Sequence, residues 1–436
     1  MSAMTYSLLL AGLVLLPLMF AGVNVGVALG LAGVIGSAVF TGNWRTGLGL
    51  PLIQSLDVAT SYTLMVIPLF IAMGTIAGAT GITTDLFAAF YRWIGHVPGG
   101  VAVATIGTCA GMASITGSSM AVSAAMAKIA LPELRRYRYD DHLSLGAIAM
   151  GGTLAIMIPP SITLVLYAIF ADQSVGQMLM AGMLPGLLTA LLYILLIVIR
   201  CWRQPALGPP AAPFAWSERW RSLPGVLPFF AIVAAIILGI LLGIWTPTES
   251  AGAGLLLVLA MGALRRRLTL QGLLDALTDA VIVSASVMVV VIGSLIFSNF
   301  IALNGLSDIL TQVIVGLNLG PLALFTLFFV IYLILGMFME ATSILALTVP
   351  LALPIAIQTG WHPVWFGVVL VSLMEVAAVT PPVGLNLFVL KATVPGAQLS
   401  TIYKGAAPFW CMNFVVIYLL YLWPDIALYL PQAMIK

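Results

Sequence analysis

The chain is poor in charge: only 7% of its 436 residues are Asp, Glu, Lys or Arg, whereas 62% are hydrophobic. Soluble globular domains carry about 25% charged residues, so this composition excludes that class. Apolar stretches of about twenty residues recur from end to end, which is the length that crosses a bilayer as a helix. The formal net charge of +2 provides no basic surface for nucleic acid. We therefore expect a polytopic protein of the lipid bilayer, with no nucleic-acid partner.

Side chains that commonly carry out chemistry are also scarce. The three cysteines, Cys109, Cys201 and Cys411, lack metal-ligand spacing and predict no disulfide. The three histidines fall at the ends of apolar segments, without a second ligand nearby, and predict no metal centre. The sequence has no nucleophile elbow, zinc motif or phosphate loop, which argues against an enzyme. No basic stretch precedes the first apolar run, so we expect no cleaved signal peptide.

One arrangement of residues occurs twice. The first copy places a small, hydroxyl-rich apex, Gly111–Ser119, inside an apolar segment and follows it with Pro159-Pro160. The second copy has its apex at Gly336–Ser343 and its proline pair at Pro381-Pro382. The two proline pairs are 222 residues apart. An internal repeat of about half the chain is therefore its main organising feature.

The first repeat, residues 1–200, is predicted to hold five full spans, a surface helix and a hairpin. The spans are 5–22, 24–41, 50–79 with Pro68 as a kink, 142–171 broken at its proline pair, and 176–200. Residues 82–96 alternate charged and aromatic side chains at helical spacing, which predicts an amphipathic surface helix. Residues 99–131 are interrupted at Ser114–Ser119, and each arm is shorter than the about twenty residues of a full crossing. We therefore predict a re-entrant hairpin there.

Residues 223–436 repeat this order after a polar, proline-rich segment, 201–222, which we interpret as a linker. The second set of segments comprises spans 224–244, 249–264 and 272–300, surface helix 305–318, hairpin 320–357, broken span 363–392 and span 406–430. Five crossings is an odd number, so the second repeat lies upside down relative to the first, as in many secondary transporters. We expect an all-α polytopic membrane protein built from inverted-topology repeats with discontinuous Pro-Pro helices.

The basic residues support this topology. If the N-terminus is outside, fourteen basic residues fall in inside segments: Arg92, Lys128, Arg135, Arg136, Arg138, Arg200, Arg203, Arg219, Arg221, Arg265, Arg266, Arg267, Lys391 and Lys404. Only Arg45 and Lys436 fall outside. This distribution obeys the positive-inside rule. The linker is then cytoplasmic, and both termini are periplasmic.

The proline pairs indicate where polar chemistry enters the membrane. Two consecutive prolines remove two amide donors and press against the carbonyls four residues back, which are those of Ala155, Ile156, Ala377 and Ala378. Such carbonyls are tolerated in hydrocarbon only where they line a polar cavity or bind a cation. Carbonyl and hydroxyl oxygens are hard ligands that suit an alkali cation. The helix that restarts after each pair directs its N-terminal amides at the break, which favours a carboxylate there.

Two acidic side chains, Glu340 and Glu375, lie deep within apolar segments of the second repeat. An ionisable residue inside the membrane is a functional candidate. Glu340, beside the second apex, is either a cation ligand or paired near the membrane surface. Glu375, six residues before Pro381, either faces a cavity or has a structural, hydrogen-bonded role. The sequence leaves these alternatives open.

The two copies and their flanks carry motifs that are specific in combination. The motifs are Gly117-Ser118-Ser119, Leu131-Pro132-Glu133, Gly151–Leu154, Ile158–Ser161, Trp245–Ala251 and Thr380–Phe388. With them the chain resembles, over essentially its whole length, the large membrane subunit of the tripartite ATP-independent periplasmic (TRAP) transporters, the DctM-like family. Two departures occur. Met374-Glu375 stands where the family often has Asn-Glu, and Tyr137–Asp140 replaces its Gly-Tyr-Asp.

The resemblance implies sodium-coupled uptake of organic acids across the bacterial inner membrane. It also implies two partners, a small membrane subunit and a periplasmic substrate-binding protein, and an elevator-type movement of the hairpin-bearing core. With Na⁺ as the coupling ion, the apex side chains and the carbonyls near the proline pairs become its expected ligands: Ser114, Ser118, Ser119, Gly152, Ala155, Ile156, Glu340, Thr342, Ser343, Ala377, Ala378 and Thr380. The expected substrate contacts are Thr116, Gly117, Ser161, Glu375, Pro381, Gly384 and Asn386.

Other membrane functions fit less well. An ion channel requires charge rings or filter carbonyls repeated around an axis, and two inverted copies in one chain do not supply them. An intramembrane enzyme requires a catalytic pair at mid-membrane, whereas all three histidines fall at span ends. A self-sufficient, ion-coupled carboxylate transporter of similar architecture remains the alternative, and only the family motifs argue against it.

The topology is testable with cysteine labelling. We predict that a single cysteine at Pro210, in an otherwise cysteine-free chain, reacts with a membrane-impermeant maleimide only after the cells are opened. A cysteine beside Arg45 should react in intact cells, because that residue lies on the outer side in this topology. Labelling at position 210 in intact cells would contradict the model.

Overall fold

The computed structural model describes residues 3–381 and 384–434, and these residues are almost entirely helical. In the first repeat the α-helices are α1 Ala3–Phe20, α2 Val25–Thr41, α3 Trp44–Thr60, α4 Val66–Ala79, α5 Ile82–Ile94, α6 Gly100–Thr116, α7 Ser119–Arg136, α8 Asp141–Thr153, α9 Ile162–Phe170 and α10 Val175–Arg203. In the second they are α11 Trp216–Leu241, α12 Pro247–Leu264, α13 Leu270–Asn304, α14 Leu306–Gly316, α15 Pro321–Phe338, α16 Ala341–Gln358, α17 Pro363–Ala377, α18 Leu385–Thr393, α19 Leu399–Leu422 and α20 Asp425–Ala433.

Helix length and composition confirm the expected all-α membrane fold. Within the described residues, seven helices are long and apolar enough to cross a bilayer, or eight if α3 and α4 together make one bent span. The seven are α10, α11, α12, α13, α15, α16 and α19. Both α15 and α16 have 18 residues. The arms of the first hairpin, α6 and α7, have 17 and 18 residues, so arm length does not distinguish the two repeats, and both re-entrant hairpins stay predictions.

The predicted third span, 50–79, is wrong in its start and in its bend. Helix α3 begins at Trp44, and the chain bends by 71° between Thr60 and Thr63, ahead of the expected kink at Pro68. Pro68 instead lies in the first turn of α4. A proline there removes an amide that has no intrahelical acceptor, so it does not disturb the helix.

Two other segments also differ from expectation. The linker is shorter than 201–222, because α10 continues to Arg203 and α11 already begins at Trp216. The last span, expected over 406–430, ends at Leu422, and α20 follows as a separate helix after Pro424. The residue before a proline is disfavoured in the helical conformation, which explains the break at Trp423.

Helix α13 is a continuous helix of 35 residues where the first repeat has the bent pair α3 and α4. At about 1.5 Å per residue it is roughly 52 Å long, which exceeds the about 30 Å of a hydrocarbon core. Its C-terminal half packs along α2, and Ser7 of α1 donates a hydrogen bond of 2.9 Å to Asn304 near its end. The elements that occupy the same place in the two repeats therefore differ in shape.

The loops that connect the helices lie at two ends of the bundle, and hydrogen bonds at each end join segments that are distant in the sequence. At one end Tyr167 donates to the Pro363 carbonyl at 2.7 Å, and Trp365 donates to the Leu420 carbonyl at 2.7 Å. At the other end the Asp140 amide donates to the Leu207 carbonyl at 3.0 Å. The connections at this second end hold most of the arginines, so we call it the basic end.

The broken helices α8 and α17 form the centre of the molecule. Every residue of α17 from Val364 to Ala377 is buried, and α8 is buried from Leu143 to Thr153. A helix that is apolar on all sides belongs in an interior rather than against lipid. Side chains from α6, α7, α10, α15, α16 and α19 surround this pair.

Glycines let α2 and α13 pack closely. A Cβ at Gly33 would lie 2.9 Å from the carbonyl carbon and oxygen of Ile296, so the two backbones are nearly in contact. We predict that Gly33→Ala lowers the free energy of unfolding by about 1–3 kcal/mol, because the helices must separate to admit the methyl group. The measurement is thermal unfolding of the purified chain in detergent.

The matched control is Gly252→Ala in α12, where no atom lies within 4 Å of the added Cβ. There the substitution should raise stability by up to about 1 kcal/mol, because alanine is the better helix former. If both substitutions change the melting temperature in the same direction, the close packing of α2 on α13 does not limit stability.

Candidate functional site

A cavity of about 430 Å³ lies where both apices and both helix breaks meet. The first apex contributes Gly117–Met120, and the second contributes Met339–Ile344. The breaks contribute residues on either side of the proline pairs, including Ile156 and Asn386. The two sequence motifs that repeat along the chain therefore converge on one space.

The first apex is a tight turn between α6 and α7. Gly117 has a φ of +59°, a left-handed conformation that glycine adopts without strain. A Cβ there would lie 3.0 Å from the Pro160 carbonyl oxygen, so the apex abuts the first proline pair. Ser118 caps α7 by accepting a hydrogen bond of 3.4 Å from the Ala121 amide. The hydroxyl of Ser118 thus lies at the start of a helix that borders the cavity.

The first break separates α8 from α9 and is closed by a serine. After α8 the chain makes one 3-10 turn, Leu154–Ile156, and α9 begins at Ile162. The Ser161 hydroxyl donates to the Ile156 carbonyl and accepts a hydrogen bond of 3.3 Å from the Leu164 amide. One of the carbonyls expected to be free is therefore already bonded, although its second lone pair remains available.

The second apex is built around Glu340. Its two carboxylate oxygens accept hydrogen bonds from the Thr342 hydroxyl at 3.0 Å and from the Thr342 amide at 3.1 Å, which caps α16. Glu340 is solvent-exposed and lines the cavity. No ion pair within residues 3–381 and 384–434 involves this carboxylate. Of the two alternatives left open by the sequence, its position at the cavity favours a cation ligand.

The second break lies between Ala377 and Leu385, and Pro382 and Val383 within it fall outside the described residues. The Asn386 amide donates to the Ala378 carbonyl at 3.2 Å, and the Thr380 hydroxyl donates to the Val376 carbonyl at 2.7 Å. The first of these bonds crosses the break, whereas the second satisfies a carbonyl on the α17 side.

The Asn386 side chain joins the two broken helices. Its amide nitrogen donates to the Ala149 carbonyl of α8 at 3.0 Å, which fixes the orientation of the amide. Its oxygen is buried and has no partner among the residues that the structure describes. A buried amide oxygen without a partner is costly, and it is also a hard ligand for a cation. Asn386 is thus the polar group at the cavity wall that most requires a ligand.

Glu375 lies behind the wall of the cavity. It is 1% exposed, and its carboxylate accepts a hydrogen bond of 2.9 Å from the Thr153 hydroxyl. This bond joins α17 to α8, the broken helices of the two repeats. The arrangement matches the structural alternative for Glu375 more closely than the cavity-facing one.

The predicted site residues divide into two groups. Those on the cavity wall are Gly117, Ser118, Ser119, Ile156, Glu340, Thr342, Ser343, Ala378 and Asn386. Those behind or beside it are Ser114, Thr116, Gly152, Ala155, Ser161, Glu375, Ala377, Thr380, Pro381 and Gly384. Ser114 and Thr116 illustrate the second group, because their hydroxyls bond to carbonyls of their own helix, those of Ala110 and Met112.

Sequence reasoning missed one wall of the cavity. Asn24 at the start of α2 and Ser286 in the middle of α13 line it opposite the apices, together with apolar neighbours. Asn24 caps α2 by accepting a hydrogen bond of 2.9 Å from the Gly26 amide. An asparagine ahead of an apolar run signals a helix start, but nothing in its spacing links it to the apices. The cavity therefore lies between the core of broken helices and the pair α2 and α13.

Four helix N-termini border the cavity. Lining residues include Ser119 of α7, Ile162 of α9, Ala341 of α16 and Leu385 of α18, each the first residue of its helix. Helix N-termini carry unpaired amides and a partial positive charge, which attract anions. Glu340 is the one ionisable residue on the described part of the wall. The cavity thus offers amides to an anion and oxygen ligands to a cation.

Comparison with known proteins gives a consistent family. The sequence model described as "Tripartite ATP-independent periplasmic transporter, DctM component" matches residues 12–426. The C4-dicarboxylate TRAP transporter large permease protein DctM of Pseudomonas aeruginosa is 31% identical over 410 residues, which cover 93% of this chain and 94% of that protein. The sialic acid TRAP transporter large permease protein SiaM of Vibrio cholerae is 28% identical, with 96% of each chain covered.

A further relative is longer than this chain. The isethionate TRAP transporter permease protein DctMQ of Oleidesulfovibrio alaskensis is 31% identical over 408 residues, which make up 91% of this chain but 62% of that protein. Among solved structures, the Alcanivorax borkumensis YdaH transporter superposes with a TM-score of 0.62, at 14% identity over 87% of this chain and 89% of that one. Neisseria gonorrhoeae MtrF superposes with a TM-score of 0.57, at 14% identity over 88% and 84%. These two structures share the fold.

Proposed function

Because this chain belongs to the family of the DctM component of the tripartite ATP-independent periplasmic transporters, we propose that it carries an organic acid across the bacterial inner membrane together with Na⁺. The observation that carries this proposal is the single cavity bordered by four helix N-termini and by the oxygens of both apices. The names of the relatives give C4-dicarboxylate, sialic acid and isethionate as their substrates, each of which is an organic acid. An anion of this kind fits the amides, and a cation fits the oxygens.

The proposed Na⁺ ligands cluster at the two apices. At the first apex they are the hydroxyls of Ser118 and Ser119 with the Ile156 carbonyl. At the second apex they are Glu340, Thr342, Ser343 and the buried oxygen of Asn386. Hydroxyl, carbonyl and amide oxygens suit a hard cation, and the Glu340 charge offsets part of its desolvation. The organic acid then binds between the apices, where it contacts the first-turn amides of α7 and α16 that Ser118 and Glu340 leave uncapped.

The proposed movement follows from which helices form the walls. One wall belongs to the core of apices and broken helices, and the other to α2 and α13. If the core slides along α2 and α13, the cavity opens to one side of the membrane and then to the other. The proposed topology is two inverted repeats of five spans and a hairpin each. In this topology the basic end is cytoplasmic, and both termini are periplasmic.

The proposed partners are a small membrane subunit and a periplasmic substrate-binding protein. Helices α1, α3 and α13 expose many large apolar side chains, among them Leu13 at 69%, Leu52 at 67% and Val281 at 67%. Lipid or another membrane helix must cover these faces. We place the small subunit there, against the helices that stay fixed, since a moving core cannot keep a fixed neighbour. The organic acid reaches the outer end from the binding protein.

Sodium dependence is the first test of this function. We predict that Ser118→Ala and Glu340→Gln each raise the Na⁺ concentration for half-maximal uptake at least about tenfold, which corresponds to roughly 1.4 kcal/mol. Ser118→Ala removes a hydroxyl ligand, whereas Glu340→Gln keeps an amide oxygen but removes the negative charge that offsets the desolvation of Na⁺. Thr342→Ala should act in the same direction. The measurement is uptake of a radiolabelled organic acid, at varied Na⁺ and constant pH, into proteoliposomes that also contain both proposed partners.

The control for this series is Thr278→Ala, which removes an exposed hydroxyl of α13 that bonds only to the Leu274 carbonyl among the described residues. It should leave the Na⁺ dependence unchanged. If the unsubstituted protein takes up the organic acid equally fast without Na⁺ or Li⁺, the proposal that Na⁺ is the coupling ion is wrong.

The partners give the second test. Reconstituted alone with a Na⁺ gradient, the chain should take up little free organic acid. The rate of uptake should rise at least about tenfold when both partners are added. The physical reason is that dilute free substrate rarely occupies the cavity, whereas a bound protein delivers the substrate at high effective concentration. Rapid uptake by the purified chain alone would favour the self-sufficient carboxylate transporter.

A further inference from the structure

A second cavity, of about 420 Å³, lies at the basic end, far from both apices in the sequence. It is a largely open site, bordered by helix α5, the first turns of α11 and the turn that follows α12. Its charged lining residues are Asp85, Arg92, Arg221, Arg265 and Arg267. Four guanidinium groups and one carboxylate thus converge on one space.

The charges in this cavity are not balanced. Asp85 Oδ2 accepts hydrogen bonds from both Arg265, at 3.1 Å, and Arg267, at 2.6 Å, so a single carboxylate is shared by two guanidinium groups. Neither Arg92 nor Arg221 has an ion pair in the part of the chain that the structure describes. The pocket therefore has a formal surplus of three positive charges, which an anion would relieve.

The positive-inside rule explains the sign of these residues but not their convergence. Other arginines at the same end, such as Arg136 and Arg203, do not line this cavity. Asp85 also holds two of the four guanidinium groups in fixed positions. Ordering several long, like-charged side chains around a space is unfavourable unless something binds there.

The surroundings indicate that the anion is part of a lipid. Both α11 and α12 are long, apolar helices, and the cavity lies at their basic ends. Leu227 of α11 is 59% exposed and Leu264 of α12 is 84% exposed, close in sequence to Gly225 and Arg265 of the lining. Apolar side chains at this depth suit acyl chains, whereas a soluble anion would gain nothing from them.

We propose that this cavity binds the phosphate of an anionic phospholipid head group in the cytoplasmic leaflet. Arginine forks bind phosphate oxygens in pairs, and basic pockets between spans on this side of a membrane select such head groups. The bound lipid then joins the surface helix α5 to the ends of α11 and α12. This site is separate from the transport cavity, and its test does not depend on uptake.

The test uses the full chain, purified in detergent, and phosphatidylglycerol with a fluorescent acyl chain. The double variant Arg92→Gln with Arg221→Gln should weaken binding of this lipid roughly thirtyfold, because the loss of each arginine near the head group weakens it about five- to sixfold. Arg136→Gln with Arg203→Gln is the matched control, with the same charge change at the same end, and should change the affinity less than about threefold. Unlabelled phosphatidylglycerol should compete, whereas phosphatidylcholine and inorganic phosphate should not.

A second variant keeps the test decisive if the double substitution impairs folding. Ala88→Glu adds a carboxylate to the cavity lining, so it should weaken lipid binding without removing an arginine. Gel filtration and melting temperature in phosphatidylcholine verify that each variant is folded. If both double arginine variants weaken lipid binding equally, diffuse surface charge explains the effect, and the proposed site is wrong. Displacement of the lipid by inorganic phosphate would overturn the lipid assignment, and unchanged binding in Ala88→Glu would do so as well.

Discussion

In hydrocarbon a backbone carbonyl or amide must find a partner, and the whole structure follows from how this requirement is met where helices stop. Within the described residues, two breaks lie in the buried centre, between α8 and α9 and between α17 and α18. Side chains and neighbouring backbone close them: Ser161 donates to Ile156, and the Asn386 amide donates to Ala378. The apices of α6–α7 and α15–α16 then pack against the closed breaks, and the remaining polar atoms face one cavity.

The requirement that backbone groups find partners also divides the helices into two units, a core of broken helices and a support of continuous ones. Helices α8 and α17 are buried on all sides and are joined by the Thr153–Glu375 hydrogen bond. Helices α2 and α13 pack on each other through glycine and form the opposite wall. Because the cavity lies between these two units, the sliding movement that we propose would change its access without breaking the hydrogen bonds inside either unit. Most arginines gather at the basic end, where water and lipid head groups solvate them, whereas the carboxylates Glu340 and Glu375 lie within the core.

The comparison of expected and observed elements shows where local signals suffice. The extents of α8–α9, α10 and α17 follow the sequence closely, since long apolar runs and proline pairs are local features. The third span does not follow the sequence in this way. Pro68, the expected kink, lies in the first turn of α4, where a proline fits without bending the helix. The strong bend instead follows Ser61 and Tyr62, where α4 turns to pack on α12 and α13. No local pattern distinguishes a proline that bends a helix from one that begins it.

The sequence by itself determined that this is a membrane protein and which family it resembles, and it predicted two repeats, each with an apex and a proline pair. Composition, apolar length and motif spacing are properties of the chain alone. The tertiary structure decided which residues share a wall: Asn24 and Ser286 joined the cavity, whereas Glu375 and Ser114 turned away from it. A helix presents different residues on each of its sides, and only the packing of its neighbours selects the side that faces a cavity.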